Sequence, residues 1–135
     1  MKILGFNFTK INVEKKNNLS KDVKITSGIN ISSIEEAKSD ILNTKDIILS
    51  VNWRFEVSYN PNLALISFEG NLLIALEPKK AKDILSKWKN TKLDDEFNIA
   101  VLNMILKKSN IKAIQFEEEL GLPIHFKLPS LKSKS

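Results

Sequence analysis

The chain has 135 residues, enough for one hydrophobic core and therefore for one domain. Apolar residues make up 42% and charged residues 27% of it, the proportions of an ordinary soluble globular protein. The absence of cysteine excludes a disulfide framework and a thiolate metal site. A net charge of +5 permits an anionic partner without demanding one.

No apolar run approaches the roughly 18 residues that a transmembrane helix needs. The opening stretch MKILGFNFTK lacks the apolar segment and the small-residue cleavage site of a signal peptide. We therefore expect no membrane insertion and a cytoplasmic location. The chain is rich in Lys, Ile and Asn with a single Arg, as an AT-rich genome would make it, so its lysine content alone is no evidence for nucleic-acid binding.

The first quarter of the chain alternates between apolar and polar residues and predicts two strands. In ILGFNFTKINVE the apolar phase slips near Thr9–Lys10, which predicts a β-bulge. In VKITSGINIS one face is apolar, with Gly28 as a weak or bulged point. Ser32 and Glu35 fit a capping box, so we expect a short helical turn after the second strand.

The stretch IILSVNWRFEVSYN has the longest alternation, with apolar or aromatic residues at every odd position from Ile47 to Tyr59. It predicts a third strand with one dry and one wet face. The following NPN, residues 60–62, predicts a turn. A fourth strand follows, interrupted by Gly70 as a bend, and its apolar phase consists of Ala64, Ile66, Phe68, Leu72, Ile74 and Leu76.

After residue 77 the apolar period changes from two to 3.6 residues, which predicts helices. Pro78 suits the first position of one helix, whose apolar stripe is Ala81, Ile84, Leu85 and Trp88. Asp94 is a candidate N-cap for a second, longer helix, with Gly121 as its stop and a break near Ser109–Asn110. Its predicted buried side is Phe97, Val101, Met104, Ile105, Ile111 and Ile114.

Four strands followed by two helices predict an α+β domain, in which a four-stranded antiparallel sheet carries both helices on one face. We expect the sheet in residues 1–76, the helices in 77–121 and an extended basic tail in 122–135.

His125 is the only histidine and the best candidate for a catalytic base or metal ligand. Since there is no second histidine and no cysteine, only carboxylates could complete such a site. The three adjacent carboxylates of FEEEL, residues 116–120, are better interpreted as a solvated helix face, because neighbours on a helix point in different directions. We expect no enzyme activity, no metal and no cofactor.

Two surfaces could bind a partner. The first is basic, with Lys80, Lys82 and Lys87 on the first helix as candidate anion-binding residues. The second is apolar: strands of about 14 residues at roughly 3.3 Å each span more than 40 Å, too far for two helices to cover. Apolar residues near the chain ends either form a groove or subunit interface, or fold back onto the core.

Several stretches resemble the SecB family of export chaperones. FEVSYNPNLALISFEGNLLIALEP is similar to that family's hairpin of third and fourth strands, and NIAVLNMILKKSN to its long second helix. GLPIHFKLPSL is similar to the segment that follows that helix. The resemblance covers about residues 46–131 and, more loosely, the first two strands.

The resemblance implies an ATP-independent chaperone, a dimer or tetramer that holds unfolded polypeptides in apolar grooves without nucleotide or metal. Phe6, Phe8, Ile124 and Phe126 are the candidate groove or interface residues. The family's outer sheet face is strongly acidic, whereas here Arg54 stands two residues from Glu56. Export, a toxin–antitoxin pair and the ribosome therefore remain open as settings. The alternative is a small basic adaptor for RNA or the ribosome on the same fold.

Overall fold

The computed structural model describes residues 1–18, 22–38, 45–90 and 95–127. Its strands are β1 (Lys2–Lys15), β2 (Lys24–Ala37), β3 (Ile47–Asn60) and β4 (Ala64–Leu76). The helices α1 (Pro78–Lys89) and α2 (Asp95–Leu120) follow them. All strand pairs are antiparallel, in the order β1-β4-β3-β2. The predicted α+β fold is confirmed.

The two central strands, β3 and β4, supply most of the core. Their odd and even positions behave as predicted: on β3 every second residue from Leu49 to Tyr59 is buried, while Ile47 at the end is half-buried. All six residues of the predicted β4 phase are buried too. The principal helix contacts are those of α1 with β2 and β3, and of α2 with β2, β3 and β4. The core therefore lies between one sheet face and the helices.

Bulges interrupt the regular pairing of both edge strands, β1 and β2. The bulge predicted near Thr9–Lys10 is confirmed, because the pairing of β1 with β4 skips one residue between Phe8 and Lys10. A second irregularity lies between Ile3 and Gly5. On β2 the irregularity falls between Ile31 and Ser33, and not at Gly28, which pairs regularly with β3.

The helical turn predicted at Ser32 and Glu35 is wrong, because β2 continues as a strand to Ala37. The bulge at Ser32 explains the error. It changes which residues face inwards, so that Ile34 becomes a core residue with 5% exposure. Residues 39–44, which the prediction also included, lie outside the described part of the chain.

The predicted NPN turn connects β3 to β4. The Leu63 N–H donates to the Tyr59 carbonyl at 2.8 Å, and Asn62 adopts a positive φ of 51°. The Lys16 N–H donates to the Leu63 carbonyl at 2.8 Å, which joins the end of β1 to this turn. Gly70 pairs regularly with Trp53 of β3, and on its other side it pairs with Phe8, next to the bulge of β1.

Helix α2 runs without a break from Asp95 to Leu120, so the predicted interruption near Ser109–Asn110 is wrong. Its buried residues recur every four positions: Phe97, Val101, Ile105, Ser109, Ala113 and Glu117. Ile111, predicted to be buried, is 52% exposed. The candidate N-cap Asp94 lies outside the described residues. Neither helix in the described part of the chain is long and apolar enough to cross a membrane.

Gly121 ends α2 as predicted. Its φ of +65° is left-handed, a conformation that glycine adopts without a Cβ penalty. The Leu122 N–H donates to the Glu117 carbonyl at 2.8 Å, and the Gly121 N–H donates to the Glu118 carbonyl at 3.4 Å. These two bonds form a Schellman motif. The chain after α2 is thereby turned back towards the sheet.

Candidate functional site: an apolar groove between β1 and α2

A groove runs between the first residues of β1 and one side of α2. It is present because β1 is an edge strand that lies beyond the main contacts of both helices. The groove is lined by Ile3, Leu4, Gly5, Phe6, Ala100, Asn103, Met104, Lys107 and Lys108. Most of these side chains are apolar, and none is acidic.

Aromatic packing forms the β1 side of the groove. The half-buried Phe6 ring stacks on Trp53, with ring centroids 5.0 Å apart and an interplanar angle of 17°. Phe8 contacts both rings edge-on, at 5.3 Å from Phe6 and 5.5 Å from Trp53. The Trp53 Nε1–H is buried and finds no acceptor among the described residues. The β1 side of the groove is therefore a surface of closely packed aromatic rings, with the unsatisfied Trp53 Nε1–H beneath it.

The α2 side of the groove is more adaptable. Met104 is half-buried, and its unbranched side chain can adjust to irregular ligands. Apolar surface continues around this helix, since Ile99 and Leu106 are 59% and 38% exposed. Ile111, one turn beyond Lys107, is exposed as well. Extended apolar surface of this kind is typical of an interaction site.

A second feature is a buried polar cluster at the C-terminal end of α2. The carboxylate of Glu117, fully buried, accepts a hydrogen bond from the Tyr59 hydroxyl. It also accepts from the backbone N–H of His125 at 3.0 Å, and both of its oxygens lie 3.0 Å from His125 Nδ1. His125 Nε2 lies 2.7 Å from Asn110 Oδ1. The cluster thus connects β3, α2 and the segment after α2.

Tyr59 is the neutral donor of this cluster. Burial raises the pKa of the Tyr59 hydroxyl well above its usual range, and the hydrogen bond to Glu117 and its negative charge raise it further. The hydroxyl also lies 2.7 Å from the Pro123 carbonyl oxygen. Its proton therefore serves two acceptors, one on α2 and one on the following segment.

The geometry of this cluster suits structural stabilisation better than catalysis. Both ring nitrogens of His125 are engaged, by Glu117 and Asn110, and the two side chains of the His125–Glu117 pair are 3% and 0% exposed. A general base needs a free nitrogen within reach of a substrate proton. The prediction that Glu117 is solvated, as part of FEEEL, is wrong. Only its neighbours Glu118 and Glu119 are exposed.

The four predicted groove residues take different positions. Phe6 lines the groove and Phe8 packs beside it. Ile124 is half-buried and Phe126 is 37% exposed, both in the segment after α2. Ring contacts connect Phe8 to Phe126 across the sheet face in the series Phe8–Phe68, Phe68–Phe55, Phe55–His125 and His125–Phe126. Phe6, Phe8 and Phe126 therefore belong to one aromatic network, and only Phe6 of the four predicted residues lines the groove.

The predicted anion-binding lysines lie on α1. Lys80 and Lys82 are exposed, and Lys87 forms an ion pair with Asp83 at 3.2 Å. Glu77 and Asp83 line the same surface depression as Lys80 and Lys82. Since acidic groups alternate with the lysines, the positive potential of this surface is partly cancelled.

Sequence reasoning missed the α2 side of the groove. Met104 fits the apolar stripe of the helix, which predicts a core position for it. The available signal was the excess of apolar residues on α2, which has Ile99, Leu102 and Leu106 outside the buried positions.

The fold defines a class of protein, an α+β domain with an open apolar groove beside an edge strand. No family model and no curated protein matches the sequence. Among solved structures, the chain is similar to a SecB-like chaperone of Mycobacterium tuberculosis in complex with a peptide from an antitoxin. The TM-score is 0.48 at 10% identity, over 98% of this chain and 92% of that one.

Proposed function

We propose that this protein is an ATP-independent SecB-like chaperone that holds unfolded client polypeptides in the groove between β1 and α2. The observation that carries the proposal is the open apolar lining of this groove, with Phe6 on one side and Met104 on the other. Binding an extended chain requires apolar pockets and free backbone groups, and no positioned acid or base.

The edge strand beside the groove supports this mode of binding. Because β1 pairs only with β4, its other edge is free of strand partners in the described chain. An extended client could pair with this edge and place alternate side chains in the groove. Backbone pairing would supply affinity for many sequences, and the groove would select those with apolar side chains.

Homo-oligomerisation is part of the proposal. Ile99, Leu106 and Ile111 expose large apolar side chains on α2. Contact between copies through this helix would remove that surface from water, at about 25 cal/mol per Å² buried. We propose a dimer or tetramer in the cytoplasm, with Phe6 and Phe8 near the client and Ile124 and Phe126 as further client or subunit contacts.

The direct test is suppression of aggregation without nucleotide. Thermally unfolded citrate synthase is mixed with the purified protein, and light scattering by the aggregate is followed over time. We expect suppression at near-stoichiometric amounts, equal with and without ATP. Aggregation as fast as with serum albumin, an inert control of the same concentration, would refute the chaperone function.

A further inference from the structure

The groove has two positively charged side chains at one end. Lys107 and Lys108 are exposed members of its lining, and neither forms an ion pair with any described residue. The lining includes no carboxylate. Two cations therefore stand beside an apolar surface without a compensating charge of their own.

The exposed acids of α2 on either side of the two lysines are too far away to compensate them. Glu96 lies 11 positions before Lys107, and Glu118 lies 10 positions after Lys108. At about 1.5 Å per residue that is roughly 15 Å or more along the helix axis, close to twice the Debye length of about 8 Å at physiological salt. The Lys107 end of the groove therefore keeps its positive potential.

We infer that the groove selects extended peptides in which an acidic side chain flanks an apolar run, with the carboxylate placed at Lys107 and Lys108. This inference rests on the proposed function and adds the chemistry of the preferred client. Charge complementarity argues for this occupant: a basic or neutral segment would leave the two lysines unpaired beside a bound chain.

Three fluorescein-labelled peptides test the inference on the unmodified protein. They share one apolar core and differ only in two flanking residues, which are Glu, Gln or Lys. We expect the Glu-flanked peptide to bind about fivefold more tightly than the Gln-flanked one and the Lys-flanked peptide to bind most weakly, as two partly exposed ion pairs allow. Binding is measured by fluorescence anisotropy.

A matched pair of variants locates the effect. Lys107→Glu with Lys108→Glu reverses the charge at this end of the groove, and we expect it to reverse the order of affinities of the three peptides. Lys79→Glu with Lys89→Glu makes the same change in net charge at exposed positions on α1, outside the groove. We expect this control to keep the original order. The same order in both variants would overturn the inference.

The outcomes separate the inference from the proposed function. Equal affinity for all three peptides would overturn the acidic preference and leave the chaperone function standing. No binding of any peptide would overturn both. A dimer in light scattering that peptides cannot dissociate, together with no peptide binding, would show that a second copy occupies the groove and would also overturn both.

Discussion

The indole of Trp53 lies over Gly70 of the neighbouring strand, in the space that a side chain at position 70 would occupy. A Cβ there would stand 2.5 Å from Trp53 Cζ2 and would collide with the Asn7 carbonyl oxygen of β1. Since Phe6 stacks on this indole, the absence of a side chain at position 70 makes room for the ring against which the groove-lining Phe6 packs.

Gly70→Ala should therefore destabilise the protein. The methyl group has no room, so Trp53 and β1 must move, at a cost of about 2–3 kcal/mol in the free energy of unfolding. Urea denaturation measures this cost. Gly28→Ala is the matched control, because a Cβ at this exposed strand position meets nothing within 4 Å. We expect it to be neutral or to stabilise by about 0.5 kcal/mol. Equal effects of the two substitutions would contradict this packing.

Tyr59→Phe tests the buried polar cluster. It removes the donor to Glu117 and to the Pro123 carbonyl, and should cost about 1–3 kcal/mol of unfolding free energy. The control is a double-mutant cycle with Glu117→Gln. We expect a coupling energy of about 1 kcal/mol or more, since the two side chains are in direct contact. Strictly additive effects would show that the contact contributes nothing.

The raised pKa of Tyr59 predicts a loss of stability in alkali. The folded protein keeps the proton to a higher pH than the unfolded chain, whose tyrosine titrates near 10, so the contribution is complete below that pH. It should fall as the pH rises above 10. Because Tyr59 is the only tyrosine, absorbance of tyrosinate at 295 nm reports it directly. We expect that signal to appear only with unfolding, as followed by circular dichroism.

Two results would contradict this prediction. One is a tyrosinate signal near pH 10 while the circular dichroism remains that of the folded protein. The other is an alkaline loss of stability in Tyr59→Phe as steep as in the unmodified protein.

The basic surface of α1 should not contribute to function. We expect the triple variant Lys80→Glu, Lys82→Glu and Lys87→Glu to suppress aggregation like the unmodified protein. RNA or ribosome binding at physiological salt should change by less than about twofold, because Asp83 and Glu77 already offset these lysines. Salt-sensitive RNA binding that the reversal abolishes would favour the adaptor hypothesis instead.

The strand pattern made the sheet and its core predictable. On β3 and β4 apolar residues recur at every second position along most of each strand, and Gly121 is a clear stop for α2. The β2 segment from Ser32 was not predictable, because a bulge and a capping box produce the same local pattern of residues. The structure distinguishes the bulge from a helical cap, because Ile34 pairs with Val51 of β3 and is buried in the core.

The buried polar cluster could not be predicted from the sequence, for a different reason. Glu117 is one of three adjacent glutamates, and its partners Tyr59 and His125 stand 58 and 8 residues away. A hint existed in the four-residue spacing of the buried positions on α2, which places Glu117 after Ala113 in the same series. The groove required the fold itself, since it depends on which strand the helices leave uncovered.

Blocking the groove tests the proposed function most directly. Asn103 is exposed in the lining, so Asn103→Trp fills the groove from the solvent side, whereas Gln115→Trp adds the same group at an exposed α2 position outside it. Both variants are compared with the unmodified protein in the citrate synthase assay. We expect Asn103→Trp to weaken apparent client affinity at least about tenfold, about 1.4 kcal/mol, and Gln115→Trp to leave it unchanged. Full activity of a folded Asn103→Trp protein would contradict the assignment of client binding to this groove.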